Sequence, residues 1–192
     1  MSKVSRKQAR RRFEIIESAI PLIASTSFEE ISVSDICKAV GISIGTFYHY
    51  FTKKSDLLIG LLWLIDEDLE ENIFPLLTNE NELDNLRIFS HGWAQHIDRH
   101  GLERSKLIST IEPAAEDISG NKRITTIRLE EIMARGQEKQ QIRKDIRAED
   151  LAQMFLLALR GVTVDWSRVD GRYSVQEKME QYISLFVQAL KA

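Results

Sequence analysis

The sequence predicts an all-α protein. Residues 1–52 should form a three-helix N-terminal head, and residues 53–192 a larger helical domain, with about nine helices in total. Two observations predict this class. Glycine and proline are scarce, 9 and 3 in 192 residues, and the prolines stand only at positions 21, 75 and 113, so long stretches run without a helix breaker. Along most of those stretches apolar residues recur every three or four positions, which is the spacing of one buried helical face. At 43% hydrophobic composition the chain can bury one substantial core, or a small domain beside a larger one.

The first helix is expected from about residue 7 to Ser25, because Phe13, Ile16, Ala19, Ile20 and Ile23 follow one face. Pro21 lies inside it and removes one amide donor. Arg10, Arg11 and Arg12 crowd its N-terminal turns against the helix dipole, an arrangement that suits contact with a polyanion as well as plain solvation. Phe28 and Ile31 are expected core plugs in the loop that follows. Ser32 and Asp35 have the S-x-x-D spacing of a capping box, so a second helix should start near Val33, and Gly41 closes it in the left-handed conformation. Ser43 caps a third, short helix whose outer face carries Ser43, Ile44, Thr46 and His49, while Phe47 and Phe51 point inward. Two short helices joined by a three- or four-residue turn have the layout of a helix-turn-helix.

Thr52 is the expected cap of a fourth helix from about Lys53 to Asn72. Its broad apolar face, Leu57 to Ile65, suits contact with both parts of the molecule. Asp66, Glu67, Asp68, Glu70 and Glu71 oppose the dipole near its end, so the helix is expected to fray or stop before Pro75. Later helices are read at about Leu83–His100, Leu102–Asp117, Lys122–Gln140, from Leu151 through Val162, and Val175–Leu190, with breaks at Gly101 and at Ser119-Gly120-Asn121.

Charge is divided unevenly. Through Lys54 nine basic residues face five acidic ones, a net of +4, so the remainder carries −7 of the overall −3. A basic head on an acidic body suits phosphate neutralisation by the head alone. The single Cys37 excludes an intrachain disulfide framework and reads as a small core residue. No window reaches the length of a membrane span and no signal peptide is apparent, so no membrane partner and a cytoplasmic location are expected.

The run DICKAVGISIGTFYHYFTKKSDLL, residues 35–58, resembles the N-terminal signature of the TetR family of transcriptional regulators. The matching positions are Ile36, Gly41, Ser43, Gly45, Thr46, Phe47, Tyr48, Tyr50, Phe51, Lys54 and Leu57. Cys37 and Val40 depart from the family's usual alanines, both as small apolar changes. The resemblance implies a ligand-responsive DNA-binding regulator, most often a repressor. It would bind a near-palindromic double-stranded operator as a homodimer through its two C-terminal helices, and a small-molecule effector would release it. It assigns DNA contact to Ser32, Ser43, Ile44, Gly45, Thr46, Tyr48, His49, Tyr50 and Lys54. Hydroxyls pair with several base edges, Ile44 suits a thymine methyl, and the phenols and Lys54 suit phosphates.

For the effector the sequence offers Phe89, Trp93, His96 and His100 on one stripe, with Trp63, Met133, Phe155 and Trp166 as further candidates. The two imidazoles are equally read as solvated groups at a helix end, and the apolar residues as plain core. No metal and no cofactor are assigned, since His91 lies about 140° round from His96 on an ideal helix and does not complete a three-ligand set. No nucleophile–base motif, phosphate loop or G-x-G-x-x-G occurs, so no catalytic residue is assigned. An enzyme with a triad assembled from distant residues and a helical protein-interaction module are the competing classes.

Overall fold

The structure, a computed structural model, describes residues 3–26, 28–109 and 122–192. Among them the elements run α1 (Lys3–Ser25), α2 (Val33–Val40), α3 (Ile44–Tyr50), α4 (Asp56–Asn72), a 3₁₀ turn (Phe74–Leu76), α5 (Glu82–Ser109), α6 (Ile124–Glu138), α7 (Ala148–Arg168) and α8 (Val175–Leu190). The only extended pairing among these residues is an isolated bridge between Ile142 and Lys191. The expected features at Ile111, Pro113 and Ser119–Asn121 lie outside the described residues.

The head forms as its local signals require. The Asp35 amide donates to Ser32 Oγ at 3.1 Å while Asp35 Oδ2 accepts from the Ser32 amide at 3.1 Å, a complete capping box. The Ser32 hydroxyl, which also donates to Asp35 Oδ2, and after it the Ser32 amide hold the Asp35 carboxyl below the usual aspartate range. Gly41 closes α2 at φ 73°, a conformation that costs a residue bearing Cβ. Ser43 Oγ then accepts from the Thr46 amide at 3.0 Å and starts α3. Ile15, Ile16, Ala19 and Ile23 of α1 pack with Ile36, Cys37, Phe47 and Phe51, and Leu57, Leu61 and Leu64 of α4 complete this core.

The same α4 turns its other side to the body. Leu62, Ile65 and Leu69 join Leu86, Phe89, Trp93 and Ile97 of α5, Leu129, Ile132 and Met133 of α6, and the inner faces of α7 and α8. At Gly60 a Cβ would lie 2.2 Å from Ile16 Cδ1, so α1 and α4 approach as closely as they do because that position has no side chain.

Two expectations are corrected, and two hold. Helix α4 begins at Asp56, and Thr52 does not cap it: Asp56 Oδ2 accepts instead from the amides of Thr52 and Lys53, at 2.8 and 3.1 Å. It stops at Asn72, before Pro75 as expected, and its acidic end is held up to there: Asp66 pairs bidentately with Arg123 at 2.9 Å and accepts from Thr125, and Asp68 pairs with His96. Tertiary partners override the unfavourable dipole. The break expected at Gly101 is present: its φ of 79° and ψ of −179° are not helical, and α5 is two helices meeting at that kink. Helix α1 starts earlier than residue 7, at Lys3.

Glu82 secures the far end of the body. It is 1% exposed, lies in the first turn of α5 where the dipole favours an acid, and accepts from Arg135, Lys139 and Asn85 at 2.9–3.1 Å. Burial pushes its carboxyl up, but those hydrogen bonds outweigh burial and hold it below the usual glutamate range. A depressed folded-state pKa stabilises the fold above the ordinary glutamate value, and that contribution disappears as pH falls through the folded value. Glu82→Gln is expected to cost about 1–3 kcal/mol near neutral pH. It should also flatten the loss of stability between about pH 5 and pH 3, read by urea denaturation across that range.

Candidate functional site

The outward face of α3 is a short mixed surface on a rigid base. Phe47 and Phe51 are buried, with ring centroids 5.1 Å apart, and they fix the helix against the head. Ile44 and Tyr48 stand 51% and 55% exposed. Ser43, Gly45 and His49 are also exposed, and Thr46 and Tyr50 partly so. The Ser43 and Thr46 hydroxyls lie 2.8 Å apart in one hydrogen bond, so they present a preset pair. Ser32 is exposed, but its hydroxyl is engaged with Asp35 at 2.5 Å; it is committed first to the cap of α2.

Lys54 departs from its expected role. Its Nζ donates to the carbonyls of Phe28, Ile31 and Glu29 at 2.6, 2.9 and 3.3 Å and lies 4.6 Å from the Phe28 ring centroid. An ammonium has three protons, and three carbonyls take them. Lys54 is a clamp on the α1–α2 loop rather than a phosphate ligand. The arginines divide similarly: Arg10 and Arg11 pair with Glu14, while the Arg12 guanidinium stacks 4.1 Å above the Trp63 ring and 5.2 Å from Phe51. Trp63, expected in an effector cavity, is therefore engaged at the junction of head and body, beside a groove of about 350 Å³ shared with Gln8, Phe13, His49 and Tyr50.

The remaining effector candidates separate into two groups. Phe89, Trp93, Met133, Phe155 and Trp166 belong to one apolar cluster. Phe89 lies 6.3 Å from Trp93 and 6.4 Å from Phe155, and Trp93 donates to Thr163 Oγ1 at 3.2 Å. His96 and His100 instead enter a polar cluster on α4, α5 and α1. His96 Nδ1 lies 2.5 Å from Asp68 Oδ2, His100 Nδ1 accepts from Arg104 at 2.9 Å, and Arg104 reaches Glu17 of α1 at 3.4 Å. Burial lowers the His96 pKa to about 4 against the opposing pull of Asp68, and burial with the Arg104 charge lowers that of His100. Both rings are neutral near pH 7.

Sequence reasoning missed a groove of about 590 Å³ between the 3₁₀ turn and α6, lined by Phe74, Pro75, Leu77, Ile132, Arg128, Arg135 and Lys139 among others. Phe74 stacks on Phe89 at 6.2 Å, which connects this surface to the aromatic core. Arg128 and Arg135 sit two turns apart on α6 and Lys139 just past its end, a pattern visible in sequence but indistinguishable there from a solvated face.

The sequence model of bacterial regulatory proteins, tetR family, matches residues 15–61, the stretch that holds α2, α3 and their supports. Over that segment this chain carries the tetR-family DNA-binding motif. It is a DNA-binding transcriptional regulator. The fatty acid metabolism regulator protein of Bacillus subtilis (strain 168) is 24% identical over 195 residues, covering 96% of this chain and 98% of that one. Two solved structures share the fold of this chain. The transcriptional regulator FadR from Bacillus subtilis in complex with stearoyl-CoA has TM-score 0.76 at 19% identity over 92% of this chain and 98% of its own. AibR in complex with isovaleryl coenzyme A and operator DNA has TM-score 0.61 at 22% identity over 94% and 98%.

The clamp has a measurable signature. Lys54→Ala should destabilise the head by about 1–3 kcal/mol, since it leaves three carbonyls without their donor. The salt dependence of DNA binding should stay unchanged, because no phosphate contact is lost. Urea denaturation and a salt titration of DNA affinity measure the two effects separately.

Proposed function

We propose that this regulator is a repressor that binds a near-palindromic operator as a homodimer and is released by an acyl-coenzyme A thioester. The observation that carries the reading is the exposed face of α3, held on the buried Phe47–Phe51 pair. Such a helix reads the major groove, with the Ser43–Thr46 hydroxyl pair and Ile44 on base edges and the Tyr48 and Tyr50 phenols toward phosphates. One short face covers few base pairs, so a second head about 34–36 Å away, or a multiple of that, supplies the remaining specificity.

Support for the dimer comes from the last two helices. Met154 and Leu157 on α7 and Tyr182 and Leu185 on α8 are 47–70% exposed, more apolar surface than solvated helices carry singly. Covering them with a second copy gives a four-helix interface.

Support for the effector class comes from the complexes of stearoyl-CoA and isovaleryl coenzyme A with two proteins of the same fold, and from the body itself. Phe74 links a groove bearing Arg128, Arg135 and Lys139 to the core of Phe89, Trp93, Met133 and Phe155. Arg128 is paired with Glu131, and Arg135 and Lys139 with Glu82, so the phosphates of coenzyme A take these cations over from carboxylates, while the aromatic core suits an acyl chain. The effector acts by binding the head spacing that DNA does not select more tightly than the spacing it does.

Selection of bound DNA from a random pool should recover a palindromic motif, and acyl-CoA thioesters added to the binding reaction should weaken its capture. Failure to recover any palindrome would sink the reading. Thr46→Ala is expected to relax preference at one base position by about 1–3 kcal/mol, measured by competition between single-base operator variants. Leu185→Glu should convert the dimer to monomer in sedimentation and reduce operator affinity, while melting of the head is unchanged.

A further inference from the structure

We propose that Asp68, His96 and His100 form a binding site for one divalent transition-metal ion of the Zn²⁺ or Co²⁺ class. The site lies where α4 meets α5, next to the Arg104–Glu17 contact with α1. His96 and His100 stand one turn apart on α5 with ring centroids 4.3 Å apart, and Asp68 comes from α4 with Oδ2 2.5 Å from His96 Nδ1. One nitrogen or oxygen from each of the three lies within 4.8 Å of the others. Bonds of 2.0–2.1 Å around a tetrahedral ion place its ligand atoms roughly 3–3.5 Å apart. Closing the set therefore takes side-chain adjustments on the order of 1 Å.

The surroundings are those of a ligand set. His96 is 2% exposed, and its Nε2 is buried without a hydrogen-bond partner. Asp68 Oδ1 accepts from Asn72 at 2.8 Å and from Arg99 at 3.3 Å. These contacts orient the carboxylate, as outer partners do in metal sites, and the contact of Oδ2 with His96 Nδ1 is the one the ion replaces. Two imidazoles with one carboxylate select an ion of intermediate softness over Mg²⁺ or Ca²⁺, which prefer oxygen alone. His100 is half-buried, so a fourth position faces outward for water.

Arg104 is the competitor. Its NH1 holds the His100 Nδ1 lone pair, while its Nε and NH2 are buried without partners. An ion bound through that nitrogen displaces the guanidinium, which keeps Glu17 of α1 as its carboxylate partner. Metal binding is thereby connected to the contact between body and head.

The test is a Co²⁺ titration of the metal-stripped full chain, followed by visible absorption. The expected result is one Co²⁺ per chain, with a ligand-field band that Zn²⁺ abolishes. His100→Gln, at a half-exposed position that the fold tolerates, should weaken binding by about tenfold or more, with circular dichroism unchanged. Arg104→Gln should strengthen binding severalfold, a direction that a purely structural role for Arg104 does not produce, and His91→Gln should leave the titration as it is. Absence of the band, or the same affinity in His100→Gln, overturns the proposal. So does equal or weaker binding in Arg104→Gln.

Discussion

Helix α4 has to satisfy two cores at once, and the rest of the molecule is arranged around that constraint. Leu57, Leu61 and Leu64 complete the head, while Leu62, Ile65 and Leu69 enter the body. A helix apolar over most of its circumference must be covered on both sides, so α1 packs on one flank and α5 and α6 on the other. Gly60 permits the close approach of α1. Asp66 with Arg123 and Asp68 with His96 then fix the C-terminal half of α4 to the body by directional bonds. Because α4 is common to both cores, its packing sets how the head is carried on the body.

The polar contacts at this junction differ in kind from the apolar ones. Hydrophobic packing tolerates small sliding, whereas a buried ion pair or imidazole–carboxylate contact is strong in one geometry and costly when broken. The chain from Asp68 through His96, His100 and Arg104 to Glu17 crosses three helices. Arg104 Nε and NH2 and the His96 Nε2 lone pair are buried without partners, so it is the part of the junction that an added ligand can rearrange at least cost.

Most of the head is legible in the amino-acid order alone. The Ser32–Asp35 cap, the left-handed Gly41 and the Ser43 cap are interactions across three or four residues, and their spacing in the chain is their geometry in space. The outward set of Ile44, Tyr48 and His49 follows from helical period once Phe47 and Phe51 are placed inside. Thr52 and Lys54 take roles other than those their positions suggest, because their partners are not set by local period. Asp56 takes the amides that Thr52 seemed placed to serve, and the carbonyls that hold Lys54 come from a loop more than twenty residues earlier.

By itself the sequence determined the helical class, the helix-turn-helix and the amphipathic faces, since each depends on periodicity and capping within a few residues. Tertiary structure alone decided what the charged and aromatic residues do. It stacked Trp63 on Arg12, placed Arg128, Arg135 and Lys139 along a groove that reaches Phe74, and carried Asp68 of α4 to within reach of His96 and His100 of α5. The physical reason is distance along the chain: a side chain's partner across a helix–helix contact is fixed by packing, which no spacing within one helix encodes.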